Sequence, residues 1–162
     1  MKHFRAPAIV LGGLAVGAIV AGTALAHATA FSATYKGTVT EKVSGQTVTA
    51  AVRGTGFGTP IGRSTITGAV VATTSTDSPC APFHGPGIIA GKSGKLKVTV
   101  VPTSRGCAAS EDDRNNISVA GSVKVNGGTG KYRKAKGVLR FTGHYDRGSG
   151  AFSVKLKGAL SF

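Results

Sequence analysis

From Phe152 to Phe162 the chain alternates. Phe152, Val154, Leu156, Leu160 and Phe162 fall on one side, with Gly158 in step, and Ser153, Lys155, Lys157, Ala159 and Ser161 fall on the other. Period two marks a β-strand with one buried and one wet face, because successive side chains leave the pleat on opposite sides. A helix would repeat its apolar stripe at wider spacing. The pattern recurs at Ile117, Val119, Val123 and Val125 against Ser118, Ser122 and Lys124. It recurs again at Leu96, Val98 and Val100 against Lys95, Lys97 and Thr99. Further strands are expected around residues 31–43, 46–56, 63–72 and 138–145.

Ser44-Gly45, Asn126-Gly127-Gly128 and the run from Asp146 to Gly150 separate these stretches, as tight reversals between strands require. Residues 73–86 and 103–116 hold both cysteines, several prolines and most acidic residues, and read as two long loops. Seven or eight strands at hairpin spacing fit a closed antiparallel barrel or a two-sheet sandwich. Closure leaves no exposed edge. The expected fold is all-β, a closed antiparallel β-barrel of about eight strands.

The first 28 residues read differently. Lys2, His3 and Arg5 precede an uncharged, largely apolar run from Ala8 to Ala26 that exits through small residues, the order of a secretory signal peptide. Three overlapping A-x-A frames place the cut after Ala26, Ala28 or Ala30, and the Ala28 frame is adopted. Gly12, Gly13, Gly17 and Gly22 weigh against an uncleaved anchor, and no cysteine near residue 28 offers a lipid attachment. The organisation expected is a signal at 1–28 and one barrel domain at 29–162, secreted and without a stable membrane span.

Removing 28 of the 162 residues leaves 134, and the loss of Lys2 and Arg5 leaves 18 basic against 6 acidic side chains, a net +12. Cys80 and Cys107 are the two cysteines. In an exported protein they read as one disulfide, worth roughly 3–4 kcal/mol by loop-closure entropy. A surface this positive attracts polyanions through a salt-sensitive field. Lys131, Arg133, Lys134, Lys136 and Arg140 lie within ten positions, Lys155 and Lys157 sit on a strand expected to pair nearby, and Lys92, Lys95 and Lys97 form a second group. These are the candidate polyanion-binding residues, against the plainer reading of a solvated surface. Nucleic acid is disfavoured because Tyr132 alone interleaves with the cluster.

Catalytic signals are sparse. His84 and His144 are the histidines of the expected domain, too few and too unrelated for a triad or a metal site, so no metal and no cofactor are expected. Glu111-Asp112-Asp113 lacks the alternating oxygen ligands of a calcium loop and reads as solvated. Glu41 is the one carboxylate inside an expected strand, in step with Tyr35, Gly37 and Val39. An inward carboxylate among apolar positions suits proton transfer. Exposure at the strand end, beside Lys42 and Ser44, is the reading preferred.

Gly54-Thr55-Gly56, then Gly62 and Thr67-Gly68, echo Gly128-Thr129-Gly130, then Gly137 and Thr142-Gly143. Either turn chemistry is reused or two corners of one barrel are equivalent. The second stretch, Asn126-Gly-Gly-Thr-Gly-Lys-Tyr-Arg-Lys-Ala-Lys-Gly137 running into Leu139-Arg140-Phe141-Thr142-Gly143, resembles the G-G-T-G-x-[FY]-x-x-A-x-G signature of the allene oxide cyclase/dirigent barrel superfamily. The resemblance implies an eight-stranded barrel with a central cavity, a homo-oligomer (often trimeric in the plant members), and cyclisation or coupling of oxygenated apolar small molecules. The family's catalytic acids have no match on this chain. Two expectations stand. One is a non-catalytic secreted barrel that binds an apolar small molecule in its cavity or an anionic polymer on its surface. The other is a cyclase-like or dirigent-like enzyme.

Overall fold

A computed structural model describes residues 28–110 and 112–162. The segment read as an export signal lies outside the described residues up to its last position, Ala28, and so does Glu111. Nine strands follow in order: β1 (Thr29–Ser44), β2 (Thr47–Thr59), β3 (Gly62–Thr73), β4 (Cys80–Gly91), β5 (Gly94–Val100), β6 (Arg105–Ala108), β7 (Asn116–Gly128), β8 (Lys136–Asp146) and β9 (Ala151–Ser161). One 3-10 turn, Gly130–Tyr132, separates β7 from β8.

Antiparallel pairing runs from β1 through β5, passes to β7, β8 and β9, and returns from β9 to β1. The wall is closed. β6 pairs with β4 on one side and β7 on the other, continuing the position that β5 holds. β5 and β6 are therefore two halves of one stave, broken at residues 101–104, and the barrel has eight staves.

The two stretches expected to be long loops each contain a strand. β4 begins at Cys80, and β6 occupies 105–108. Pro82, Gly85, Pro86 and Gly87 hide the alternation of β4, because proline lacks a donor and glycine presents no side chain to the pattern. The β3–β4 ladder records Gly68↔Gly87 and Val71↔His84 but no pair at Pro86 or Gly85, so it passes over the proline without losing register. Cys80 and Cys107 are directly opposed in the β4–β6 ladder and form the expected disulfide. It joins two strands rather than two loops.

Inward residues fill the two ends of the barrel unequally. The end carrying the β2–β3, β4–β5 and β7–β8 turns is packed solid by Phe31, Tyr35, Ile61, Leu96, Tyr132, Leu139 and Leu160, all buried. Burying one such side chain stabilises the fold by roughly 1.5–3 kcal/mol. Tyr132, on the 3-10 turn, closes this end like a stopper, and its hydroxyl donates to the Pro60 carbonyl at 3.4 Å. Tyr35 and Ser64 share a buried hydroxyl–hydroxyl hydrogen bond of 2.8 Å. Phe162, expected in the inward row of β9, lies beyond that strand, 39% exposed, and packs edge-on against Tyr132 from outside.

The repeated glycine motif marks two hairpins at this same closed end, but its triplets differ in use. Gly54 and Gly56 lie within β2 beneath the Phe152 and Tyr35 rings, where a Cβ would come within 2.8 Å and 2.6 Å of ring carbons. Gly130 instead takes a positive φ of 57° to open the 3-10 turn.

Candidate ligand cavity

Toward the other end the inward side chains shrink. Val39 on β1, Val52 on β2, Ile66 on β3, Val100 on β5 and Val119 on β7 leave a cavity of about 780 Å³. Phe83, Phe141, Phe152 and Leu156 continue its apolar wall, and Ile89 and Val98 also line it. A cavity of this volume is of the size that takes a small organic ligand. The cavity opens where the β1–β2 turn and the segments at 74–79, 109–110, 112–115 and 147–150 gather, and Ser110, Arg114 and Arg147 are among the residues that line it.

Glu41 is at this mouth. The parity of β1 turns it inward, its side chain is 17% exposed, and its Oε2 lies 3.3 Å from Arg147 Nε. The preferred reading of strand-end exposure is thus corrected: β1 and β2 extend past Glu41 to Ser44↔Thr47, so residue 41 is still within the wall. Tyr145, 9% exposed and inward on β8, gives its hydroxyl to the Glu41 carboxylate. Burial, followed by the Glu41 charge and this hydrogen bond, pushes the phenol up to about 12. Arg114 also lines the cavity.

The turn carrying Arg147 is held on several sides. Ser149 N–H donates to Asp146 Oδ1 at 2.8 Å, Arg147 N–H donates to the Asn115 carbonyl at 2.8 Å, and Val39 N–H donates to the Gly150 carbonyl at 2.8 Å. The Ser149 backbone bond holds the Asp146 carboxyl below its usual range. Alternation with Leu139 and Phe141 marks Tyr145 as inward from sequence alone. Arg147 lies in a turn, where no periodicity applies, and only the closed wall brings it to Glu41.

The basic residues lie outside. Arg140 and Lys157 are direct cross-strand partners, Lys155 faces Thr142, Lys136 faces Ser161, and all four cations are exposed. Lys131, Arg133 and Lys134 project from the closed end. There Lys131 N–H donates to the Ser93 carbonyl, and Thr129 N–H to that of Lys95, which brings Lys92 and Lys95 into the same group. The two basic groups of the sequence thus adjoin at the closed end, while Lys97 on β5 and Lys155 and Lys157 on β9 lie on staves separated by β7 and β8.

His84 and His144 are exposed on different staves. Among the described residues no three His, Cys, Asp or Glu side chains gather to hold a metal ion. Asp113 serves its own loop: its N–H donates to Ser110 Oγ at 3.0 Å, and its Oδ1 accepts from Asn116 N–H at 3.1 Å. Comparison with protein-family models, curated proteins and solved structures yields no match to this chain.

Proposed function

We propose that this chain is an exported, non-catalytic barrel that takes an apolar small molecule into its cavity. The cavity itself carries the reading. Its wall is valine, isoleucine, leucine and phenylalanine, and its polar groups are gathered at the mouth, so an apolar body is desolvated inside while a polar group stays near water. The disulfide fits an oxidising compartment. The resemblance of residues 126–143 to allene oxide cyclase/dirigent barrels supports an apolar small molecule as the occupant of the cavity, and by itself fits the cyclase-like alternative equally. Glu41 is engaged by both Arg147 and Tyr145, which favours a positioning role over turnover.

Titration with a solvatochromic apolar fluorophore tests the proposal, together with native mass spectrometry of the exported protein. Saturable binding of one equivalent is expected, lost in a Val52→Trp/Val100→Trp variant that fills the cavity and still folds. Binding unchanged in that variant, or none in the wild type, would sink the idea. The same mass should begin at Thr29, because cutting after Ala30 would remove Thr29 and Ala30 from their ladder with Leu160 and Ala159.

A second reading, an anionic polymer on the outer wall, is favoured by Arg140 and Lys157. Like charges placed directly opposite are unfavourable unless a counter-charge joins them. Retention on heparin that ignores salt would exclude it. For a cyclase-like enzyme, Glu41→Gln should abolish turnover.

A further inference from the structure

We infer that the closed end of the barrel docks on an anionic phospholipid bilayer and holds the cavity mouth away from it. The inference does not depend on what the cavity binds.

Charge is sorted along the barrel axis. Lys92, Lys95, Lys131, Arg133, Lys134 and Lys136 are exposed at the closed end. Every described carboxylate belongs to the mouth end: Glu41 near the end of β1, Asp77 before β4, Asp112 and Asp113 before β7, and Asp146 at the end of β8. Exposed cations stand toward the mouth as well, Lys42, Arg105, Arg114 and Arg147, so that end is close to neutral, while the closed end has cations without side-chain carboxylates among the described residues. An anionic surface therefore attracts the closed end more strongly, and the field orients the barrel.

Charge by itself would equally suit a soluble polymer. The exposed apolar side chains separate the two. Val43, 69% exposed, and Val71, 37%, stand at the mouth, but twice as many gather at the closed end: Phe57 is 66% exposed, Val138 56%, Ile88 40% and Phe162 39%. These four sit on β2, β8, β4 and just past β9, so they are spread around the wall rather than form one patch. Each is within three residues of the closed end of its strand. At a strand rise of about 3.3 Å per residue that is within roughly 10 Å of the base. Apolar side chains on a surface-bound element enter the headgroup and acyl boundary to roughly 5–10 Å. Cations in the headgroups with aromatic and aliphatic side chains just behind them match a bilayer surface, whereas a hydrated polymer offers the apolar ring nothing. The barrel does not span the bilayer by this arrangement, because its outward face bears Lys36, Arg53, Thr65, Lys97, Lys124 and Lys155 where a spanning barrel needs an apolar band.

The chain contains no tryptophan, so single substitutions report position cleanly. The exported protein is floated with vesicles of phosphatidylcholine alone and with vesicles containing phosphatidylglycerol. We expect binding to the anionic vesicles only, weakened at least about tenfold by Lys131→Glu/Lys134→Glu and by added salt. Phe57→Trp and Phe162→Trp should blue-shift on anionic vesicles, while Val43→Trp, at the mouth, should not. Four results would overturn the inference: equal binding to both vesicles, unchanged affinity in the lysine variant, a shift at Val43→Trp, or binding to soluble polyphosphate without binding to vesicles. A Phe57→Ser/Val138→Ser variant separates the remaining occupant. If it lowers the sedimentation mass and leaves vesicle binding intact, the ring is a contact between copies of this chain.

Discussion

Arg147 Nε stands 3.3 Å from Glu41 Oε2, and the pair ties the β8–β9 turn to the neighbouring strand β1 along the rim of the barrel. The arginine is 42% exposed, so water and salt screen the attraction.

A double-mutant cycle of Glu41→Gln and Arg147→Met should therefore give a coupling energy of about 0.5–1 kcal/mol in urea unfolding, shrinking in high salt. A coupling several times larger would mean that the pair is drier than its exposure indicates.

The tyrosines predict an alkaline transition. The chain has three, Tyr35, Tyr132 and Tyr145, and burial raises all of them from the ordinary value of 10.0. A phenol is neutral when protonated, so a raised folded-state pKa means that the folded protein holds its proton more tightly than the unfolded chain. That stability is complete below pH 10.0 and is lost as pH rises through the folded values, for Tyr145 about 12. Near-ultraviolet phenolate absorbance should stay low past the ordinary phenol range and then rise together with loss of the β-sheet circular dichroism. Titration at the ordinary value before any unfolding would contradict the burial.

The unequal filling of the barrel predicts unequal costs for truncation. Leu139 is fully buried in the solid end, and Leu139→Ala should cost about 2–5 kcal/mol. Val52 borders space that already exists, and Val52→Ala should cost about 1 kcal/mol or less. Chemical denaturation of the two variants measures the contrast.

Replacing both Cys80 and Cys107 by alanine should lower stability by about 3 kcal/mol, from the 27-residue separation that the bond closes. The loss should appear first as faster amide exchange in β6, a four-residue strand.

The alternation of β7 and β9 is legible because one face of each strand is buried along its length. Phe152, Leu156 and Leu160 are buried, while Lys155 and Lys157 are exposed. β4 is not legible, since Pro82, Gly85, Pro86 and Gly87 replace the side chains that would reveal a period. β6 is too short to show one. The inward parity of Glu41 is readable from Tyr35 and Val39, yet what it meets there is not. Tyr145 and Arg147 are more than a hundred positions away along the chain, and only closure of the wall brings them to the same rim.

The pairing that completes the wall joins its first strand to its last, from Thr29↔Leu160 to Thr38↔Ala151. Until β9 has left the ribosome, β1 has one neighbour and the interior is open to solvent. Contacts of such long sequence separation make closure a late and slow event in folding. The cavity therefore does not exist until β9 is in place, and what it first encloses is set by the surroundings in which that last pairing forms.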